Sequence, residues 1–105
     1  MHVRWLRRAL ENVDEESAYV ATDDPVAAAR FVERIVSSVE RLKNHPAAGR
    51  PGRLPNTREL VVAGTPYIVP YRIRRQTVEI LGFFMARENG RAMYSANDSE
   101  YRGAH

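Results

Sequence analysis

Apolar residues recur every three or four positions in the first half of the chain and every second position after Pro46, which divides the sequence into a helical and a strand-forming part. Leu6, Ala9, Leu10, Val13, Ser17 and Val20 or Ala21 form one stripe, with Arg8, Glu11, Glu15 and Glu16 between them. That spacing predicts an amphipathic helix stopping near Thr22. The preceding HVRW (2–5) is short and β-prone and predicts a strand. Asp24-Pro25 then supplies a helix N-cap and a proline at the first helical position. Ala28, Phe31/Val32, Ile35, Val39 and Leu42 line one face of this second helix, opposite a mixed-charge face of Arg30, Glu33, Arg34, Glu40 and Arg41. It should run to about Lys43, ended by Asn44-His45-Pro46. Two stripes joined by so short a turn are buried together only if the helices pack antiparallel or lie on a common layer.

Beyond Pro46, RELVVA (58–63), YIVPYRIR (67–74) and TVEILGFF (77–84) are rich in β-branched and aromatic residues. Gly64-Thr65-Pro66 and Arg75-Gln76 separate them, so they read as consecutive antiparallel hairpin strands. Alternation places Tyr67, Val69, Tyr71 and Ile73 on one face of the middle strand and Ile68, Arg72 and Arg74 on the other. Pro70 cannot donate to a ladder and predicts a bulge or a locally unpaired side. The expected fold is an α/β two-layer (α+β) domain over 1–84, with an N-terminal strand and an antiparallel helical hairpin on a small, mostly antiparallel sheet. From Met85 the period is lost, and 85–105 is expected to be a flexible, divergent tail.

The chain has 105 residues, enough for one domain, and no cysteine. Its three histidines, His2, His45 and His105, lie far apart, so neither a metal site nor any other cofactor is expected. No apolar run approaches the ~18 residues of a membrane span, and a soluble, cytoplasmic protein with no membrane partner is the expectation. The net charge of +3 is unevenly spread: residues 49–75 hold six arginines against one glutamate. GRPGRLPNTREL (49–60) is the basic centre, and Arg50 and Arg53 are expected to form a ridge facing an acidic partner. Arg58 is a candidate for a cross-strand ion pair, and Arg72 and Arg74 place two positive charges on one sheet face.

Trp5 with Ala9-Leu10, Asp24-Pro25 with Ala28-Ala29, Pro46 followed by Gly49-Arg50-Pro51-Gly52-Arg53, then Thr57-Arg58-Glu59-Leu60, Pro66-Tyr67-Ile68-Val69 and Tyr71-Arg72-Ile73 occur in an order that resembles the RelE/ParE toxin superfamily of bacterial toxin–antitoxin systems. The resemblance covers about Val3 to Phe84 and is nearest to the ParE branch. It implies a toxin held inactive by a cognate, ParD-like antitoxin in a hetero-oligomer. It also implies one of two targets: DNA gyrase, inhibited by binding, or ribosome-bound mRNA, cut by RelE-like members.

Metal-independent RNA cleavage needs a base, an acid and cations for the phosphate. The strand position at which RelE-like nucleases often carry arginine is Ile68 here, and the position after the last strand where relatives show His or Tyr is Met85. Neither side chain transfers a proton, which favours a binding inhibitor over an enzyme. The nuclease alternative would use Arg58, Arg72, Arg87 and a tail tyrosine, Tyr94 or Tyr101. A general nucleic-acid binder ranks third, since no stacking platform accompanies the arginines. No recognition-helix pattern points to direct sequence-specific DNA binding by this chain alone. For the antitoxin, Ile68, Leu81 and Phe83 are expected to lie uncovered on the helix-free face of the sheet, beside the arginines.

Overall fold

The computed structural model describes residues 1–86. Strand β1 (His2–Trp5) leads into α1 (Arg7–Asp23) and α2 (Pro25–Glu40), which tightens into a 3₁₀ turn over Arg41–Lys43. Then follow β2 (Arg50–Pro51), β3 (Arg58–Val61), β4 (Tyr67–Arg74), β5 (Thr77–Ile80) and β6 (Phe84–Met85). Asp24 both closes α1 and opens α2: its backbone N–H donates to the Val20 carbonyl, and its Oδ1 accepts from the N–H groups of Val26 and Ala27, both at 3.1 Å. The helical stripes are close to those expected, with one exchange in α1. Leu10 is exposed, and Asn12 takes the inward position beside Ala9 and Val13.

The strands form one sheet in the order β1-β5-β4-β3-β2, with β6 pairing to β4. Among the described residues only β1 runs parallel to its neighbour, and every other pairing is antiparallel. Two helices thus pack on one face of a mixed, mostly antiparallel sheet. Residues 50–51 add a two-residue edge strand in which Arg50 faces Glu59.

Pro70 sits where its missing N–H does least harm. A residue's N–H and C=O point to the same side of a strand, and the Pro70 carbonyl accepts from the Leu81 N–H at 2.9 Å. The missing donor therefore faces the break between β5 and β6. Tyr71 pairs with Ile80 and Ile68 with Phe84, so two residues of β4 lie opposite three, 81–83, on the other chain segment. That extra residue is a β-bulge. It reverses the alternation, so Ile80 and Phe83 both turn toward the helices while Leu81 and Phe84 turn away.

The main core lies between sheet and helices, with Ile35, Val39 and Leu42 meeting Val62, Val69, Tyr71, Val78, Ile80 and Phe83. Phe83 stacks on Tyr67, with ring centroids 4.7 Å apart, and meets Phe31 edge-on at 5.8 Å. Asn12 Oδ1 accepts from the Phe83 N–H at 3.3 Å, supplying the bulge with the partner that the ladder cannot. A second, smaller cluster of Ile68, Leu81 and Phe84 occupies the outer face and packs with Leu6, Leu54 and Ala86.

The apolar surface expected for an antitoxin is therefore different from the sequence-based picture. Phe83 is fully buried on the helix side, because the bulge flips it. Ile68 and Leu81 do lie on the outer face but are buried within the second cluster, at 1% and 0% exposure.

Candidate functional site

The outer face of the sheet is organised by two carboxylates that point away from the helices. Glu59 precedes the core residue Leu60, and Glu79 lies between the core residues Val78 and Ile80, so alternation sends both outward. Each is buried, and each is held between two arginines. Glu59 Oε1 accepts from Arg50 Nη2 at 3.2 Å, while Oε2 accepts from the Arg53 backbone N–H at 3.3 Å and faces Arg53 Nε at 3.9 Å. Glu79 Oε1 accepts from Arg72 Nε at 2.6 Å, and Oε2 lies 3.7 Å from Arg4 Nη1. Burying a carboxylate is costly unless it is paired and hydrogen-bonded, and both conditions are met here. In each trio one negative charge meets two positive ones, so each retains a net charge of +1.

Arg50 and Arg53 are both tethered to the sheet. The side chains of Arg50 and Arg53 are 56% and 44% exposed, respectively, while both are oriented by Glu59. Arg53 also reaches across the outer apolar cluster, with its guanidinium carbon 5.9 Å from the centroid of the Phe84 ring. Arg58 does not make the expected cross-strand ion pair. Its Nη1 donates to the Gly49 carbonyl at 2.7 Å and to that of Ala47 at 3.4 Å, so it ties down the segment before β2. Arg72 and Arg74 share a face as alternation requires, but Arg72 is buried against Glu79 and is not an open positive charge. Arg87, Tyr94 and Tyr101 lie outside the described residues.

Tyr71, expected to be core, is also a polar hub. Its hydroxyl donates to the Pro46 carbonyl at 2.6 Å and accepts from the Gly49 N–H at 2.8 Å. Burial pushes this hydroxyl above its ordinary pKa, an effect partly opposed by the Gly49 hydrogen bond and the nearby Arg58 charge. A Cβ at Gly49 would lie 2.6 Å from Tyr71 Cε1 and 2.9 Å from the Glu59 carbonyl oxygen, so only glycine lets the basic segment lie this close to the sheet. Tyr67 ties the opposite end of β4 to α1, its hydroxyl donating to Glu16 Oε1 at 3.0 Å. Glu59, Glu79, Asn12 and the two tyrosine hydroxyls were missed by the sequence reading. The one weak pointer was that Glu59 is the lone acid among six arginines.

Among the described residues no cluster of three or more His, Asp or Glu side chains is placed to hold a metal ion, and no helix is long and apolar enough to cross a membrane. Two helices packed against a mixed, mostly antiparallel six-stranded sheet are the RelE/ParE-like α+β fold. The family model described as the ParE toxin of type II toxin–antitoxin system, parDE, matches residues 3–90. A candidate toxin of Sinorhizobium fredii, Y4kP, is 55% identical over 86 residues, which cover 82% of this chain and 88% of that one. Among solved structures, the chromosomal ParDE toxin–antitoxin system from P. aeruginosa matches with a TM-score of 0.73 and 30% identity, covering 81% of this chain and 95% of that chain. The RelBE2 toxin–antitoxin complex from Mycobacterium tuberculosis matches with a TM-score of 0.54 and 25% identity, over 80% of this chain and 88% of that one. The chain belongs to the ParE toxin family of type II toxin–antitoxin systems.

Proposed function

We propose that this toxin acts by binding, that its target is DNA gyrase, and that a ParD-like antitoxin neutralises it in a hetero-oligomer. The observation that supports binding over cleavage is the chemistry of the sheet residues. The resemblance sets Ile68 and Met85 where a metal-independent nuclease would need proton-transferring groups, and the register of β4 against β6, with Ile68 opposite Phe84 and Tyr67 opposite Met85, puts the two on different faces of the sheet. Arg58 is engaged with backbone carbonyls and Arg72 with a buried carboxylate, so neither is poised over a phosphate between an acid and a base. What the outer face does offer is the half-exposed guanidinium groups of Arg50 and Arg53 on a rigid support, suited to an acidic protein surface. The same surface suits an acidic antitoxin segment, and the matched solved structures are toxin–antitoxin systems.

Purified toxin, freed of any co-expressed antitoxin, is added to gyrase supercoiling relaxed plasmid with ATP. Inhibition at stoichiometric toxin, relieved by the antitoxin, is the expected result. A folded sample that leaves supercoiling unchanged overturns this reading in favour of ribosomal mRNA cleavage through Arg58, Arg72, Arg87 and Tyr94 or Tyr101. In that case Tyr94→Phe with Tyr101→Phe abolishes toxicity, whereas a binding inhibitor keeps it.

A further inference from the structure

A depression of about 240 Å³ lies where the first half of α2 meets the tip of the β3–β4 hairpin. Val26, Ala27, Arg30, Phe31 and Arg34 form its helical wall, and Thr65 closes it from the hairpin. Its volume is below the roughly 300–1,000 Å³ of sites that enclose a whole small ligand, and suits one side chain of a longer one. The apolar part is open to solvent, since Val26 is 61% exposed and Phe31 only half-buried. The hairpin side is fixed: Thr65 Oγ1 donates to the Val62 carbonyl at 2.8 Å and accepts from the Tyr67 N–H at 3.1 Å.

In the sequence Arg30 and Arg34 belong to a mixed-charge helix face, yet in the structure they go unpaired. Among the described residues neither guanidinium has an ion-pair or hydrogen-bond partner, and Glu33, adjacent to Arg34 in the chain, pairs with neither. Two like charges one turn apart on a helix repel, an arrangement that an anion between them relieves. Arg34 lies along the hairpin tip, its Nη1 3.5 Å from where a Cβ at Gly64 would stand. Of the residues around the depression only Asp24 is acidic, and its Oδ1 is committed to the α2 cap at the Val26 end.

Val26, Arg30 and Arg34 follow one another at intervals of four residues, about 6 Å per step along the helix. Side chains on one side of an extended peptide recur at a similar interval, roughly 6.6 Å. We infer that this wall docks an acidic peptide segment whose successive same-side residues are acid, acid and apolar. The two carboxylates meet the guanidinium forks of Arg34 and Arg30, and the apolar side chain enters beside Val26 and Phe31. Asp24 sets the direction, because it repels a third acid at the Val26 end. Arg50 and Arg53 are held by Glu59 on the opposite face of the sheet from α2, so this is a second place of contact. The inference stands apart from the gyrase reading, since it concerns a different surface.

Backbone NMR of the full-chain toxin at low salt, titrated with acetyl-Glu-Ser-Glu-Ser-Leu-amide, tests it. The expected result is saturable movement of the Ala27, Arg30, Phe31 and Thr65 amide signals. Arg30→Gln with Arg34→Gln weakens binding about tenfold, and a peptide with serine in place of leucine binds about fivefold more weakly. Both arginines are exposed, so the remaining signals of the double variant stay in place and report an intact fold. Arg41→Gln, the same charge change beyond the far end of α2, leaves the affinity within about twofold. The inference is overturned if no signal moves, if the signals that move are those of Arg50 and Arg53, or if Arg41→Gln weakens binding as much as the double variant. It is equally overturned if the leucine-free peptide, or one with lysine in place of glutamate, binds as tightly as the probe.

Discussion

Single atoms set the position of the basic segment. The Tyr71 hydroxyl accepts from one end of a four-residue stretch, at Gly49, and donates to the other, at Pro46, while Arg58 holds the carbonyls of Ala47 and Gly49. Tyr71→Phe leaves the buried Gly49 N–H and the half-buried Pro46 carbonyl without that partner and is expected to cost about 1–3 kcal/mol in urea unfolding. It also changes the alkaline limb of stability. With the folded pKa above the ordinary value near 10, the protonated hydroxyl's contribution is complete below about pH 10. It is lost as pH rises through the folded value, and the Phe variant lacks this loss. Glu59→Gln removes the charge that orients Arg50 and Arg53. A cost of about 1–2 kcal/mol is expected, below the ~3–5 of a fully buried pair, because both arginines are about half exposed and regain water. Urea midpoints measure it.

The elements divide according to how local their causes are. Helix α2 was legible because its cap, Asp24-Pro25, and its stripe lie within one segment. Strand β4 was legible to the residue, since alternation and turn residues bracket it. Pro70 announced a bulge, but not the side on which the extra residue falls, because that depends on the register of β5 and β6 against β4. Phe83 was therefore assigned to the wrong face. The arginine clamps were illegible for a related reason: Arg50 meets Glu59 only after β2 forms, whereas the neighbour Arg58 points to the opposite side. Deleting Gly82 is expected to remove the bulge and drive Phe83 to the outer face. Loss of a core aromatic costs about 3–5 kcal/mol, and a cooperative transition weakened by at least that much in circular dichroism is the expected outcome.

At the scale of the whole molecule, Phe83 joins three elements. It touches α2 through Phe31, β4 through Tyr67 and α1 through its own N–H on Asn12. Against a typical total of about 5–15 kcal/mol, Phe83→Ala at about 3–5 is expected to leave a measurable unfolded fraction at 37 °C, read as increased proteolysis. The sheet joins residues far apart along the chain, because His2 pairs in parallel with Thr77. During translation β1 therefore emerges first and waits for β5 before its ladder can form. A nascent toxin therefore lacks its complete sheet until β5 has been made, so its outer face is finished only after that strand has left the ribosome.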